Sequence, residues 1–195
     1  NKRNFKRYRL QSKMILMTTA CLILLPAVFF FVCDLQNLSA GRRLLAATFQ
    51  SVTTRTAGFN TINISEMSEA SKAVMILLML IGGSPGSTAG GMKTTTFMVL
   101  ILNAIATFRS QENAGAFGRR LEYHVIKNAA TIAMLYFVLF FCGGLAISVY
   151  EGLPLLDCLY EAASAVGTVG LTLGITPKLH IFSQVVLIIL MYLGR

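Results

Sequence analysis

Two long apolar stretches without a charged side chain limit most strongly how this chain can fold. Residues 14–32 and 129–149 each run for about 20 residues without Asp, Glu, Lys or Arg, the length of helix that crosses a ~30 Å hydrocarbon layer. Charged residues make up only 13% of the chain, about half of their usual share in soluble proteins. The sequence therefore predicts an all-α integral membrane protein embedded in a lipid bilayer.

The net charge of +9 is concentrated in two short segments. Six Lys and Arg residues lie in residues 1–13, and four lie in residues 109–128. Short basic segments beside membrane spans mark the cytoplasmic side, so we predict that both segments are cytoplasmic and that the protein crosses the cell membrane several times. Their position beside apolar runs accounts for the positive charge, and no nucleic-acid partner is predicted.

The chain contains an internal repeat with a constant offset. The segments Thr-Ala-Gly-Phe-Asn around Gly58 and Thr-Val-Gly-Leu-Thr around Gly170 resemble each other, and the two glycines are 112 residues apart. The same offset places Met79 over Met191 without a gap. A repeated unit of this kind decides the architecture, so we expect residues 14–108 and 129–195 to fold alike.

Each unit is expected to contain a span, a half-length pore helix, a short filter segment and a second membrane-going helix. The predicted parts of the first unit are a span at 14–32, a pore helix at 44–52, a filter at 53–61 and a helix at 68–108 broken by a loop at 82–91. The predicted parts of the second unit are a span at 129–149, a pore helix at 155–166, a filter at 167–174 and a truncated last helix at 178–195.

The Thr-x-Gly segments are predicted to form an ion filter. Non-helical backbone at membrane depth persists only where it is buried in protein or faces a water-filled path, and free carbonyls on such a path can replace the water shell of a cation. The second segment also approaches the Thr-Val-Gly-Tyr-Gly signature of potassium channels, although a tight contact between two helices would also use Thr and Gly. The predicted filter residues are Thr56, Ala57, Gly58, Phe59, Asn60, Thr168, Val169, Gly170, Leu171 and Thr172.

A glycine-rich break interrupts the second helix of the first unit and is predicted to act as an intramembrane gate. Five of the ten residues from 82 to 91 are glycine and one is proline, which makes a continuous helix costly at about 1 kcal/mol for each Gly and about 3 kcal/mol for Pro. Small residues would leave this loop free to block the ion path and to move aside. The predicted gate residues are Gly82, Gly83, Ser84, Pro85, Gly86, Ser87, Thr88, Ala89, Gly90, Gly91, Lys93 and Arg195.

An enzyme is the rival interpretation of the same break. Residues 82–86 fit the pattern G-x-S-x-G, and Asp157 and His180 follow Ser84 in the order found in serine hydrolases. Because Asp157 and His180 fall on the predicted outer side and Ser84 lies deeper, we predict that the chain is not an enzyme. An intramembrane serine hydrolase remains the alternative from a different class.

Four charged residues near the predicted pore need a role, because charge at membrane depth is costly. Lys93 begins the helix after the loop and either serves the gate or extends to the cytoplasmic interface. The five donors of the Arg195 guanidinium suit a loop of unpaired carbonyls. For Arg55 and Glu161 we predict a structural ion pair that braces the two filter segments.

Residues 51–61, residues 81–96 and the terminal Gly194-Arg195 resemble the Trk/Ktr/HKT superfamily of potassium transporters, in particular the bacterial Ktr-type membrane subunit. The resemblance implies four helix–pore-loop–helix repeats around a pseudo-fourfold pore, of which this chain would supply the third and fourth. It also implies K⁺ uptake that depends on Na⁺, with no cofactor beyond these ions and no bound metal beyond the transported K⁺. The alternative within ion transport is a plain K⁺ channel.

The same resemblance implies further partners and one residue role. Family members are homodimers controlled by a cytosolic nucleotide-binding ring, which would dock on the basic inner face. The arginine that matches Arg195 lies below the filter in the family, latches the gate loop and repels cations.

Overall fold

The computed structural model describes residues 8–111, 115–116 and 119–195, and it is helical almost throughout. The helices are α1 Leu10–Cys33, α2 Ala40–Thr53, α3 Glu69–Leu80, α4 Thr94–Phe108, α5 Tyr123–Glu151, α6 Leu155–Val166 and α7 Ile181–Leu193. The exception within the described residues is one antiparallel pair of two-residue strands, β1 Gly115–Ala116 and β2 Arg119–Arg120. The predicted all-α class is confirmed.

Several helix ends differ from the boundaries expected from hydropathy. Helix α1 begins at Leu10 and α5 begins at Tyr123, both inside segments predicted as cytoplasmic. Hydropathy marks the part of a helix that lies in lipid, whereas backbone hydrogen bonding continues into the polar flank. The last helix begins at Ile181, because Thr176–Lys178 forms a separate 3-10 turn. Residues 1–7, 112–114 and 117–118 of the predicted cytoplasmic segments lie outside the described part.

Two helices are long and apolar enough to cross a membrane. They are α1 and α5, and only 22% of the most apolar window of each is buried inside the protein. A core helix of a soluble protein would be mostly buried, whereas these helices expose leucine, valine and phenylalanine side chains along their length. Outward-facing apolar side chains of this kind suit contact with lipid tails. The chain is therefore an integral membrane protein.

Helix α6 lies at the centre of the molecule, and α2 lies at its edge. Eight of the twelve residues of α6 are buried, and the helix packs against α3, α5 and α7. Helix α2 packs mainly against α1 and leaves Leu44 and Leu45 60% and 75% exposed. The sulfur of Met75 on α3 joins the two, because it accepts a hydrogen bond from Gln50 on α2 at 2.9 Å and lies 3.9 Å from the hydroxyl of Tyr160 on α6.

The 112-residue offset of the sequence recurs in the structure. The 3-10 turns Ile64–Glu66 and Thr176–Lys178 match in both first and last residue at this offset, and so do the first residues of α3 and α7. A small inner cluster of Met14, Val99 and Ala129 holds α4 against α1 and α5. Helices α2 and α6 thus occupy equivalent places in the order of elements, each followed by a short irregular loop.

Candidate functional site

The chain leaves α2 and α6 through two loops that share a pattern of positive φ angles. We call residues 54–61 loop one and residues 167–174 loop two. A residue with positive φ is followed two positions later by a glycine with positive φ in both: Thr56 at 68° and Gly58 at 76°, Thr168 at 52° and Gly170 at 91°. Positive φ costs a non-glycine residue roughly 1–2 kcal/mol, so the surroundings must hold both threonines in place.

This backbone leaves a row of main-chain carbonyls without donors. The N–H groups of Ala57 and Gly58 donate to the Thr53 carbonyl at 3.2 Å, and that of Val169 donates to the Ser164 carbonyl at 2.9 Å. Within the part of the chain that the structure describes, no donor reaches the carbonyls of residues 56–58 or 168–171. Buried backbone carbonyls are almost always paired with a donor, a water molecule or a ligand; most of these carbonyls lie on half-buried or exposed residues and are open to water or to a cation.

The two loops lie against each other. A Cβ atom on Gly58 would overlap the main-chain carbonyl of Val169, whereas a Cβ on Gly170 would come no closer than 4.0 Å to the Cα of Gly58. Glycine at position 58 is therefore required both for its positive φ and for the close approach of loop two. The predicted filter segments are brought together at this contact.

The surroundings of the two loops differ. In loop two, Val169 is 5% and Leu171 is 2% exposed, whereas Phe59 of loop one is 71% exposed. The hydroxyl of Thr53 supports loop one, since it donates to the Phe59 carbonyl at 2.7 Å and accepts from the Phe59 N–H at 2.9 Å. Thr53 lies in the predicted filter segment 53–61 but is not among the predicted filter residues, although its place at the end of a half-length helix was an available signal.

The predicted ion pair between Arg55 and Glu161 does not form. Glu161, 4% exposed, accepts hydrogen bonds from the hydroxyls of Thr172 and Thr176 at 2.7 Å and from the Leu173 N–H at 2.9 Å. The guanidinium of Arg55 donates to the Gly82 carbonyl at 3.4 Å instead. Donors on the adjacent loop lie within reach of the carboxylate, and Arg55 turns toward the glycine-rich break.

The glycine-rich break is a loop whose two ends are held together. Ile81 and Met92 form a parallel bridge, in which the Gly82 N–H donates to the Met92 carbonyl at 2.8 Å and the Met92 N–H donates to the Leu80 carbonyl at 3.0 Å. The Thr94 N–H donates to the Gly83 carbonyl at 3.1 Å. The chain therefore leaves α3 and enters α4 at neighbouring points, with residues 82–91 as an excursion between them.

This excursion, which we call the glycine loop, touches loop two directly. The Gly90 N–H donates to the Thr168 hydroxyl at 3.1 Å, and a Cβ on Gly90 would overlap the Thr168 side chain. The Gly91 N–H donates to the Gly194 carbonyl at 3.3 Å, which also accepts the Tyr136 hydroxyl at 2.7 Å. Tyr136 could not be singled out from the sequence, because it stands in an ordinary apolar span.

Lys93 and Arg195 occupy different places near this loop. The ammonium of Lys93 donates to the carbonyls of Ser87 and Ala89, so it folds back on the glycine loop. The contact at the end of α7 comes from the Gly194 carbonyl, and the role of the Arg195 side chain stays a prediction. Arg195 lines a cavity of about 600 Å³ beside loop two, together with Glu161, Thr168, Gly170 and Thr172.

The residues of the hydrolase alternative are not brought together. Asp157 lies 3.7 Å from the ammonium of Lys72, and the imidazole Nδ1 of His180 lies 2.8 Å from Glu151. The Ser84 carbonyl accepts the Ser87 N–H and hydroxyl within the glycine loop. A serine hydrolase needs its histidine within hydrogen-bond reach of the serine, and in this structure the histidine is paired elsewhere.

The chain is similar to known proteins along almost its whole length. The profile of the family described as TrkH, cation transport protein, matches residues 9–195. The Ktr system potassium uptake protein B of Bacillus subtilis is 35% identical over 199 residues, covering 99% of this chain and 45% of that protein. The potassium/sodium uptake protein NtpJ of Enterococcus hirae is 37% identical over 199 residues, covering 97% and 44%.

A solved structure has the same fold. The crystal structure of the potassium transporter TrkH from Vibrio parahaemolyticus superposes with a TM-score of 0.77 at 22% identity, over 91% of this chain and 41% of that one. The chain spans less than half the length of the curated relatives that it matches.

Proposed function

The chain belongs to the TrkH family of cation transport proteins, and on that premise we propose that it forms half of a pore for potassium uptake across the cell membrane. The observation that carries the proposal is the row of donor-free carbonyls in loops one and two. Carbonyl oxygens in such a row can replace the water shell of a dehydrated cation. The family consists of transport proteins, and the prediction that the chain is not an enzyme agrees with it.

The names of the relatives favour K⁺ as the ion. One is a potassium uptake protein and the other a potassium/sodium uptake protein. Loop two follows the first three residues of the potassium-channel signature but lacks its second glycine. We propose K⁺ as the transported ion, with Na⁺ as a second ion on which uptake depends.

A complete pore needs further filter segments. Two loops line only part of a ring, and the exposed outer faces of α2 and Phe59 leave room for neighbouring segments. We propose that the remaining two units come from the rest of a longer chain, since the relatives are more than twice as long. The wider assembly would be a homodimer with a cytosolic nucleotide-binding ring on the basic inner face.

The glycine loop is proposed as the gate. It lies against Thr168 of loop two through Gly90. Arg55 donates to the Gly82 carbonyl at its start, and Lys93 donates to the carbonyls of Ser87 and Ala89 in its second half. Its small residues would let it move without displacing large side chains. In this position, the loop would close the ion path beneath the filter, and Arg195 would repel cations from below.

Rubidium uptake by the full-length protein in cells that lack potassium uptake tests the proposal. The wild type should restore uptake, and excess K⁺ should compete with rubidium. The variants Gly58→Ser and Gly170→Ser should each reduce uptake or weaken the preference for K⁺ over Na⁺, because both replace a glycine at positive φ. Unchanged uptake and selectivity in both variants would disprove the filter assignment.

The variant Ser84→Ala separates transport from the hydrolase alternative. A hydrolase would lose its activity with the nucleophilic hydroxyl. A gate should still pass ions, since the hydrogen bonds of Ser84 in the glycine loop use its main-chain carbonyl. Uptake that persists in Ser84→Ala therefore supports the transporter.

A further inference from the structure

We propose that Glu161 is the positioning residue that sets ion selectivity, because it fixes the geometry of loop two. This inference rests on the proposed transport function and assigns to one buried carboxylate a task that belongs to that site. Glu161 lies on α6, the most deeply buried helix of the described molecule, and its side chain reaches past the end of that helix to the segment that follows the donor-free carbonyls.

The carboxylate accepts hydrogen bonds from three residues of that segment. One oxygen accepts the Thr172 hydroxyl at 2.7 Å and the Leu173 N–H at 2.9 Å, and the other accepts the Thr176 hydroxyl at 2.7 Å. The Thr172 oxygen in turn accepts the Gly174 N–H at 2.9 Å. Residues 172–176 are therefore tied to α6 at both ends of the turn.

A buried carboxylate requires such partners, because removal of a charge from water without compensation is costly. Hydrogen bonds to an ionised group are shorter and stronger than neutral ones, and the three short contacts of Glu161 meet this requirement. The carboxylate and the loop therefore support each other: the loop supplies three donors to Glu161, and Glu161 holds the loop in place. A small movement of Thr176 would leave one carboxylate oxygen without a donor, and a movement of Thr172 would remove one of the two donors of the other oxygen.

The fixed segment directly continues the donor-free carbonyls. Thr172 is the next residue after Leu171, whose side chain is 2% exposed. The Leu173 peptide is held from both sides, since its N–H donates to Glu161 and its carbonyl accepts the Ser65 hydroxyl at 2.9 Å. A loop anchored in this way resists contraction around an ion smaller than the one it fits, which is the cavity-size explanation of selectivity between K⁺ and Na⁺.

Glu151 offers a matched control in the same unit. Its side chain is 5% exposed, and it also accepts three hydrogen bonds: from the His180 N–H at 2.9 Å, the His180 ring at 2.8 Å and the Ser183 hydroxyl. These partners belong to the start of α7 and not to either loop. Loss of Glu151 should therefore disturb the packing of α7 to a similar degree without moving the donor-free carbonyls.

The test compares Glu161→Gln with Glu151→Gln in the full-length protein. The readout is the Na⁺ concentration that halves rubidium uptake, relative to the K⁺ concentration that does so. Glutamine keeps the shape of the side chain, but its amide nitrogen cannot accept the Thr176 proton. We expect Glu161→Gln to lower the preference for K⁺ about tenfold, as for the loss of one hydrogen bond to a charged group, and Glu151→Gln to leave it unchanged.

A second pair of variants keeps the test decisive if Glu161→Gln does not fold. Thr176→Val removes one donor and should lower the preference for K⁺, whereas Thr176→Ser keeps the hydroxyl and should restore it. If Glu161→Gln and Thr176→Val both take up rubidium with an unchanged preference for K⁺ over Na⁺, the proposed role of Glu161 is overturned, whereas the proposed transport function is not. Equal loss of selectivity in Glu151→Gln would also overturn it. Absence of rubidium uptake in the wild type would instead overturn the proposed function.

Discussion

Loop one and loop two share a pattern of positive φ angles, yet the rest of the molecule supports them in different ways. Positive φ recurs at the same two positions in both loops. Loop two is enclosed, and the buried carboxylate of Glu161 holds its last residues and Thr176 beyond them. Loop one is open on one side, with Phe59 71% exposed. The local sequence Thr-x-Gly thus dictates the shape, whereas the neighbouring helices determine how firmly the shape is held.

The 112-residue offset shows which residues make the surroundings of the two loops different. Phe49 occupies the position that corresponds to Glu161, and Ile64 occupies that of Thr176. Ile64 is 2% exposed. The chain after loop one is therefore held by apolar packing, whereas the chain after loop two is held by a hydrogen bond to Glu161. A duplicated unit can keep the carbonyl row that a function needs and still change what surrounds it.

The largest expected difference between the loops concerns their glycines. Alanine at either position must adopt positive φ, which costs about 1 kcal/mol or more, but only at position 58 would it also overlap the Val169 carbonyl. We expect Gly58→Ala to reduce rubidium uptake by about a hundredfold and Gly170→Ala by about tenfold. Uptake rates should be divided by the amount of protein in the membrane. The opposite ranking would show that the close approach of the two loops is wrong.

An intermediate effect is expected where loop two meets the glycine loop. Thr168→Ala removes the acceptor of the Gly90 N–H, which weakens this contact by about 1 kcal/mol and should raise the initial rate of rubidium uptake by about fivefold. Thr168→Ser should behave as the wild type, because it keeps the hydroxyl. Thr56→Ala, the equivalent change in loop one, should not increase uptake. If Thr56→Ala also raised the initial rate of rubidium uptake, the contact with the glycine loop could not be what distinguishes loop two from loop one.

The smallest effect concerns the ion pair that helps to hold α6. Lys72 on α3 lies 3.7 Å from Asp157 on α6, whereas the corresponding position of α2 is the exposed Leu45. Both charged side chains retain some solvent contact, so Lys72→Met should cost about 0.5 kcal/mol and lower the melting temperature by about 1–3 °C. Thermal unfolding in detergent measures this shift. A much larger loss would mean that α6 depends on this pair more than on its apolar packing.

The sequence allowed the loops and the break to be predicted because their residues carry direct backbone information. Glycines at fixed offsets, a proline and a half-length apolar helix restrict the chain whatever lies around it. The partner of Glu161 could not be predicted in the same way. An opposite charge such as Arg55 is visible in a sequence, but the Leu173 N–H that reaches the carboxylate is a main-chain group which every non-proline residue has. The bonds from Gly90 to Thr168 and from Tyr136 to Gly194 join distant segments, and only the packed structure brings them together.

The bridge between Ile81 and Met92 fastens the two ends of the glycine loop to each other. If this loop is the gate proposed above, the bridge would serve as its hinge, and the loop would move once the contacts of Gly90 and Gly91 are released. Movement of a short flap on a fixed hinge is possible within microseconds to milliseconds, without the slower repacking of whole helices. Opening and closing would then involve the glycine loop only, and the membrane-spanning helices would not need to move.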